Sequence, residues 1–214
     1  MQAEFWHERW RENKIGFHEA APNEFLVRHF EAMGLEPGSR IFVPLAGKSL
    51  DLSWLEAQGM RVVGVELDES AVRAFFDEAE TTTLVSSVGS LQKYRSGDVE
   101  LLAGDIFDLT PEILGPVDAI YDRAALVALP DEMRARYAKH VVSLTGAAPQ
   151  LLVAFDYDQT QTAGPPFSVN QTMIEALYRA TYSQTLLSRQ PITGRLAQRC
   201  GGFEESWLLV PKAL

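Results

Sequence analysis

Residues 42–70 read FVPLAGKSLDLSWLEAQGMRVVGVELDES, two apolar runs around a break of small residues, the second run ending on an acid. The first run, RIFVPLA (40–46), is short, with Pro44 near its end, where a missing backbone N–H is tolerated because the strand is finishing. Ser49 can cap a helix over 49–58, Leu50, Leu52, Trp54 and Leu55 supply its apolar faces, and Gly59 suits the left-handed residue after the last turn. RVVGVEL (61–67) follows as a second strand, and Asp68 can cap the next helix, ESAVRAFFDEAE (69–80). Strands apolar on both faces and joined by a helix predict a parallel sheet with helices on each side.

Working outward, Phe5, Trp6 and Trp10, then Phe25, Leu26, Phe30 and Met33 after Pro22, predict two N-terminal helices that cap the sheet. Residues 91–94 and 99–103 flank the turn-like RSGD and resemble a local hairpin inserted on the main plan. PVDAIYDR (116–123) and QLLVAFDYD (150–158) predict strands, and 130–145 and 169–181 predict helices. QTLLSRQ (184–190) and EESWLLV (204–210) are two late strand-like runs. The expected architecture is α/β: a mostly parallel, doubly wound, Rossmann-like sheet with an antiparallel C-terminal strand.

Composition narrows the function. The 214 residues fit one domain, 1–214, with 1–38 as a helical cap or lid and 39–214 as the core. No apolar run approaches the ~20 residues that span a bilayer, and the charged N-terminus lacks a secretory pattern, so a cytoplasmic protein without a membrane segment is expected. A net charge of −10 with dispersed Lys and Arg argues against a nucleic-acid partner. Cys200 is the only cysteine, which excludes an internal disulfide, and His7, His18, His29 and His140 show no metal-ligand spacing, so no metal is expected. No long apolar seam is left over, which favours a monomer.

In an open parallel sheet, ligands sit in the crevice at the carboxyl ends of the strands. Gly47 follows the first strand where the backbone must pass close to a ligand, and Glu66 ends the second about 20 residues later, where an acid can accept both ribose hydroxyls. AGKS lacks the earlier glycine of a phosphate-binding loop, since Phe42 stands there, and PLAGKS lacks the GxGxxG of a dinucleotide site. An adenosine cofactor without a pyrophosphate fits, and S-adenosylmethionine is the common one. Asp105, in GDIFDL, can read an adenine edge while Ile106 packs on its ring, or the pair is a turn aspartate and a core isoleucine. Arg123 can grip a carboxylate in two-point fashion, or pair with Asp122 or another acid of this chain. Trp6, Trp10 and Phe17 form a stripe that suits either internal packing or an aromatic lid.

FWHERWRENKIGFH, FVPLAGKSLDLSWLEAQGMRVVGVELDE, GDIFDL and YDRAALVALP, in that order over nearly the whole chain, resemble bacterial thiopurine S-methyltransferase, a class I S-adenosylmethionine-dependent methyltransferase. The resemblance implies that Trp10, Leu45, Glu66 and Arg123 contact S-adenosylmethionine, with Asp105 and Ile106 near the adenine. Ala46 stands where some relatives carry cysteine, a small departure because the backbone makes the turn. GRLAQRCGGFEES does not align cleanly, which leaves Arg195 and Arg199 as candidates for lining the acceptor site. The implied activity is in-line methyl transfer to thiopurines and other aromatic or heterocyclic thiols, which ionise near neutral pH and need no strong protein base. Arg123 is the candidate for holding the acceptor thiolate or the cofactor carboxylate, and Trp6, Phe17 and His18 are candidates for the substrate lid. The alternatives are a methyltransferase of selenium or tellurium compounds, as in metalloid resistance, and a non-catalytic S-adenosylmethionine-binding module.

Overall fold

The computed structural model describes residues 3–213. Among these residues nine strands form one sheet: β1 (Arg40–Pro44), β2 (Arg61–Glu66), β3 (Leu84–Val88), β4 (Leu91–Ser96), β5 (Val99–Ala103), β6 (Ala119–Arg123), β7 (Gln150–Tyr157), β8 (Tyr182–Pro191) and β9 (Gly202–Pro211). Their order is β3-β4-β5-β2-β1-β6-β7-β9-β8. The central β5, β2, β1, β6 and β7 run parallel, and β9 is antiparallel to both β7 and β8. The helices are α1 (Ala3–Arg11), α2 (Glu24–His29), α3 (Leu50–Ala57), α4 (Glu69–Glu78), α5 (Pro111–Leu114), α6 (Asp131–Leu144), α7 (Gln171–Tyr178) and α8 (Gly194–Ala197).

Side-chain alternation along the strands divides the core into two layers. Phe42, Val63, Leu102, Ile120 and Leu152 pack on one face against Tyr137 and Val141 of α6 and Ile174 and Tyr178 of α7. Ile41, Val62, Leu101, Ala119 and Leu151 pack on the other against Leu52 and Leu55 of α3, Val72 and Phe76 of α4, and Phe25 and Leu26 of α2. The doubly wound arrangement read from the strand and helix pattern is therefore the one observed.

The capping residues behave as their chemistry dictates. The Ser49 side chain accepts from Asp51 N at 3.2 Å, and Asp68 Oδ1 accepts from Ser70 N at 2.9 Å. Both helices thus begin where a strand has just ended, which places their N-termini along the same sheet edge. From β1 the chain winds outward through β2 to β5 and then returns to the other side of β1 at β6, so the topology switches at the carboxyl end of β1.

Two expectations need correction. The hairpin at 91–103 is not an insertion: β5 pairs in parallel with β2, from Val62↔Val99 to Glu66↔Ala103, and belongs to the central set, while β4 and an unforeseen β3 extend the sheet from it. The second N-terminal helix ends at His29, and a 3₁₀ turn covers Phe30–Met33.

Candidate active site

The turn after β1 sets the floor of the site. Leu45 and Gly47 both take positive φ, 49° and 55°, so the chain folds back tightly at the switch point. Glu66, the last residue of β2, meets this turn: its Oε2 accepts from Gly47 N at 2.9 Å and its Oε1 from Asp68 N at 2.9 Å. One carboxylate therefore joins the β1 turn to the start of α4. Each oxygen keeps a lone pair beyond those bonds, and the residue lines a large cleft.

Glu66 is only 6% exposed, and burial pushes its carboxyl up from 4.5 to about 7 despite the two backbone N–H donors. A carboxyl with a raised folded-state value stabilises the native state below about pH 4.5 and loses that contribution as pH rises toward 7. The stability of the ligand-free protein relative to a Glu66→Gln variant should thus fall by about 2 kcal/mol between roughly pH 5 and 7.5. Denaturant unfolding of both proteins at the two pH values checks this, and an equal difference at both would contradict it.

Gly47 is required for a further reason. A Cβ there would lie 3.3 Å from Trp10 Cζ2, on a backbone whose φ of +55° already disfavours a side chain. Gly47→Ala should destabilise the fold by about 1 to 2 kcal/mol and displace the indole. Thermal unfolding measures the first effect and tryptophan fluorescence the second.

At the neighbouring strand ends, Asp105 Oδ1 accepts from Phe107 N at 2.9 Å and caps a short 3₁₀ turn, while Ile106 is buried. Both line the cleft. Of the two sequence readings, the turn aspartate and core isoleucine describe their packing, and cleft exposure leaves them available to a ligand.

At the end of β6, alternation sends Asp122 and Arg123 to opposite faces. Asp122 is fully buried, with Oδ1 accepting from Leu126 N at 3.0 Å and Oδ2 from Tyr137 OH at 2.7 Å, so it fixes the turn that follows β6. Burial raises its carboxyl from 3.8 to about 6. Arg123 does not pair with Asp122: its Nη1 donates to Phe17 O at 2.8 Å, and its Nη2 meets Glu19. The guanidinium thus holds down the segment that follows α1.

That segment and α1 form the roof. No residue of α1 is buried. Trp6 and Trp10 each meet Phe17 edge-on, with ring centroids 5.9 and 5.5 Å apart, and His7 Nδ1 lies 2.8 Å from Asp68 Oδ2 at the start of α4. The aromatic stripe is therefore a half-buried cover over the cleft and not core packing. His18 lines the same cleft, its imidazole held below 6.5 by burial and by the nearby Lys48.

The cleft encloses about 1300 Å³ and brings together Trp6, Trp10, Phe17, His18, Leu45, Glu66, Asp105, Ile106 and Arg123. Gly47 lies just outside it, in a small adjoining pocket shared with Trp10, Leu45 and Arg123. Its wall carries Arg9, Lys14, Lys48, Arg123, Arg195 and Arg199 against Glu19, Glu66, Asp105 and Glu204. Sequence reasoning missed Glu204 and Phe155, on adjacent strands at the far end, although both lie within runs read as strands. Among the described residues no group of three or more His, Cys, Asp or Glu could hold a metal ion, and no helix is long and apolar enough to cross a membrane.

The family model for thiopurine S-methyltransferase matches residues 1–207. The chain belongs to that family. It is 49% identical over 210 residues to the thiopurine S-methyltransferase of Xanthobacter autotrophicus, covering 98% of this chain and 99% of that one. It is 46% identical over 209 residues to that of Gluconobacter oxydans, covering 98% and 95%. Among solved structures, it is similar to the Burkholderia thailandensis 1,6-didemethyltoxoflavin-N1-methyltransferase with bound 1,6-didemethyltoxoflavin and S-adenosylhomocysteine. The TM-score is 0.66 at 14% identity, over 98% of this chain and 87% of that one. The Synechocystis magnesium protoporphyrin IX methyltransferase, with bound S-adenosylhomocysteine, matches with a TM-score of 0.64 at 14% identity, over 96% and 94%. At such identities these two show the fold alone, that of class I S-adenosylmethionine-dependent methyltransferases.

Proposed function

We propose that this protein transfers a methyl group from S-adenosylmethionine to the sulfur of a thiopurine or another aromatic or heterocyclic thiol. The observation that carries the reading is the Gly47 turn joined to the Glu66 carboxylate at the switch point of the sheet, in a chain that matches the family model over residues 1–207.

The residues present fit the cofactor. The tight turn at Gly47 would press a Cβ against Trp10, and the strand-end acid keeps acceptor capacity toward a cleft of about 1300 Å³. Glu66 would accept the ribose hydroxyls, with Leu45 and Trp10 beside the cofactor, Asp105 and Ile106 at the adenine, and Arg123 at its carboxylate or at the acceptor thiolate. When bound, S-adenosylmethionine supplies an electrophilic methyl group. The chain's own part is to hold the acceptor sulfur in line with that carbon, at about 3 to 3.5 Å, in a space closed to water. Residues 1–38 act as the lid, with Trp6, Phe17 and His18 facing the acceptor. The whole chain works as a single domain, a cytoplasmic monomer acting on small molecules and not on nucleic acid, in keeping with its net charge of −10.

The test is calorimetric titration with S-adenosylhomocysteine, followed in the same preparation by methyl transfer to 6-mercaptopurine. Binding with turnover is the expected result. Binding without turnover would overturn the acceptor assignment, and a parallel assay with selenite and tellurite then tests a metalloid acceptor. No binding would overturn the cofactor site.

A further inference from the structure

Along β9 the two consecutive acids Glu204 and Glu205 point to opposite faces, and their surroundings differ. Glu205 is 1% exposed and fully engaged: Oε2 accepts from Trp207 Nε1 at 3.0 Å, and Oε1 lies 3.3 Å from Arg189 Nη1. Glu204 lines the cleft, is partly buried, and has no hydrogen-bond or ion-pair partner among the described residues. Its cross-strand neighbours are Phe155 on β7, a cleft-lining aromatic, and Gln190 on β8, whose amide is taken by Glu24. A carboxylate held without a partner against an aromatic wall is available to a ligand.

Its place in the sheet says which ligand. Glu66 and Asp105 close β2 and the strand beside it, β5, on one side of the β1 turn. Arg123 closes β6, and Phe155 and Glu204 stand beyond it on β7 and β9. If the adenosine lies on the β2–β5 side, the space over β6, β7 and β9 remains for the acceptor.

We propose that Glu204 is a catalytic base for acceptors that arrive as neutral heterocyclic thiones, removing the ring N–H proton while sulfur is methylated. This deepens the function proposed above and rests on it. In the step, an electron pair of the thione sulfur forms the new bond to the methyl carbon, and the bond from that carbon to the donor sulfonium sulfur breaks, its pair staying with that sulfur. The ring N–H bond breaks, its pair restores the aromatic ring, and the proton passes to a Glu204 oxygen. An acceptor that has already ionised needs no such base, so Glu204 extends turnover to pH values below the acceptor's own ionisation.

The charge environment suits the role. Burial raises the Glu204 carboxyl from 4.5 to about 7, the Arg123 guanidinium opposes that rise, and Glu19 and Glu24 add to it. Arg195 and Arg199 line the same cleft, and no titratable group of β7 or β8 contributes to the shift. A base that gains and loses its proton near neutrality is well matched to transfer at physiological pH.

The experiment compares wild type and Glu204→Gln with two acceptors over pH 5.5 to 8.5 at saturating cofactor: 6-mercaptopurine, a thione with a ring N–H, and 5-mercapto-2-nitrobenzoate, a thiolate throughout that range. Glu204→Gln should lower kcat for 6-mercaptopurine about 100-fold at the acid end, with the loss shrinking as the acceptor ionises. With the nitrobenzoate its kcat should change by roughly threefold or less. Glu204→Asp, which keeps a carboxylate one methylene shorter, should recover part of the loss. Equal losses with both acceptors, or none with either, would overturn the assignment, and S-adenosylhomocysteine titration of each variant identifies one that has merely misfolded. Should both variants misfold, wild-type profiles with a series of heterocyclic thiones of differing acidity decide: the assignment stands if turnover of all of them rises at one shared pH, and falls if each rise follows the acceptor's own ionisation. Wild-type protein that methylates neither acceptor would overturn the proposed function itself, an outcome distinct from an insensitive Glu204 variant.

Discussion

Glu66→Ala is expected to weaken S-adenosylhomocysteine binding by about 30- to 1000-fold, the equivalent of about 2 to 4 kcal/mol for two hydrogen bonds to a charged acceptor. The structure adds a second effect. Gly47 N and Asp68 N both donate to this carboxylate, so alanine leaves two backbone N–H groups without an acceptor and loosens the turn after β1. Glu66→Gln separates the contributions. Its amide keeps the shape and one acceptor, yet turns an NH₂ toward a backbone N–H, so binding should fall by an intermediate amount while secondary structure is retained. Isothermal titration of both variants, alongside their thermal unfolding, checks this. Wild-type affinity in a folded Glu66→Gln protein would remove Glu66 from the cofactor site.

Arg123→Ala should lower kcat/KM by about 100- to 1000-fold, if the partly buried guanidinium both contacts a ligand, as proposed, and anchors the segment after α1. Its guanidinium holds Phe17 O and Glu19, so the truncation also frees that segment and removes the cation that opposes the raised Glu204 carboxyl. Turnover at limiting and at saturating cofactor assigns the role. A loss confined to limiting cofactor means that Arg123 holds the cofactor carboxylate, and a loss that persists at saturation means that it positions the acceptor or closes the lid. Glu19→Gln provides the control: it removes the ion pair but keeps the guanidinium, and its effect should be much the smaller. Unchanged kinetics in Arg123→Ala would dismiss both roles.

Much of this was legible in the sequence because the central strands are buried on both faces. The VVGV at the centre of β2 must then be apolar on both faces, and it stands out between the capping side chains of Ser49 and Asp68. β3 was hidden for the opposite reason: LVSSV is an edge strand, with Leu84 and Val85 71% and 56% exposed, so nothing in its pattern marks a buried face. The parallel partnership of β5 with β2 was obscured by the obvious local turn at RSGD, because a hairpin is visible in neighbouring residues and a register such as Val62↔Val99 is not. The same limit applies at the site. Glu66 and Arg123 could be picked out because each ends its own strand, whereas the contact of Arg123 with Glu19 joins segments far apart in the chain. Glu204 becomes meaningful only when β9 inserts beside β7 and carries it to the cleft.

The unequal distribution of charge over this molecule makes the cleft a filter. The chain as a whole carries −10, yet Arg9, Arg195 and Arg199 line the cleft with no ion pair among the described residues, whereas Lys14, Lys48 and Arg123 are paired with Glu12, Glu78 and Glu19. An anion approaching from bulk solvent meets repulsion first, and only within about a Debye length, ~8 Å at physiological ionic strength, do these three arginines act on it. Small aromatic thiolates can pass that barrier because salt screens the long-range part and leaves the short-range part intact. The repulsion grows with the charge and length of the approaching anion. The three arginines therefore offer a short-range contact for an anion inside a chain whose long-range field is negative.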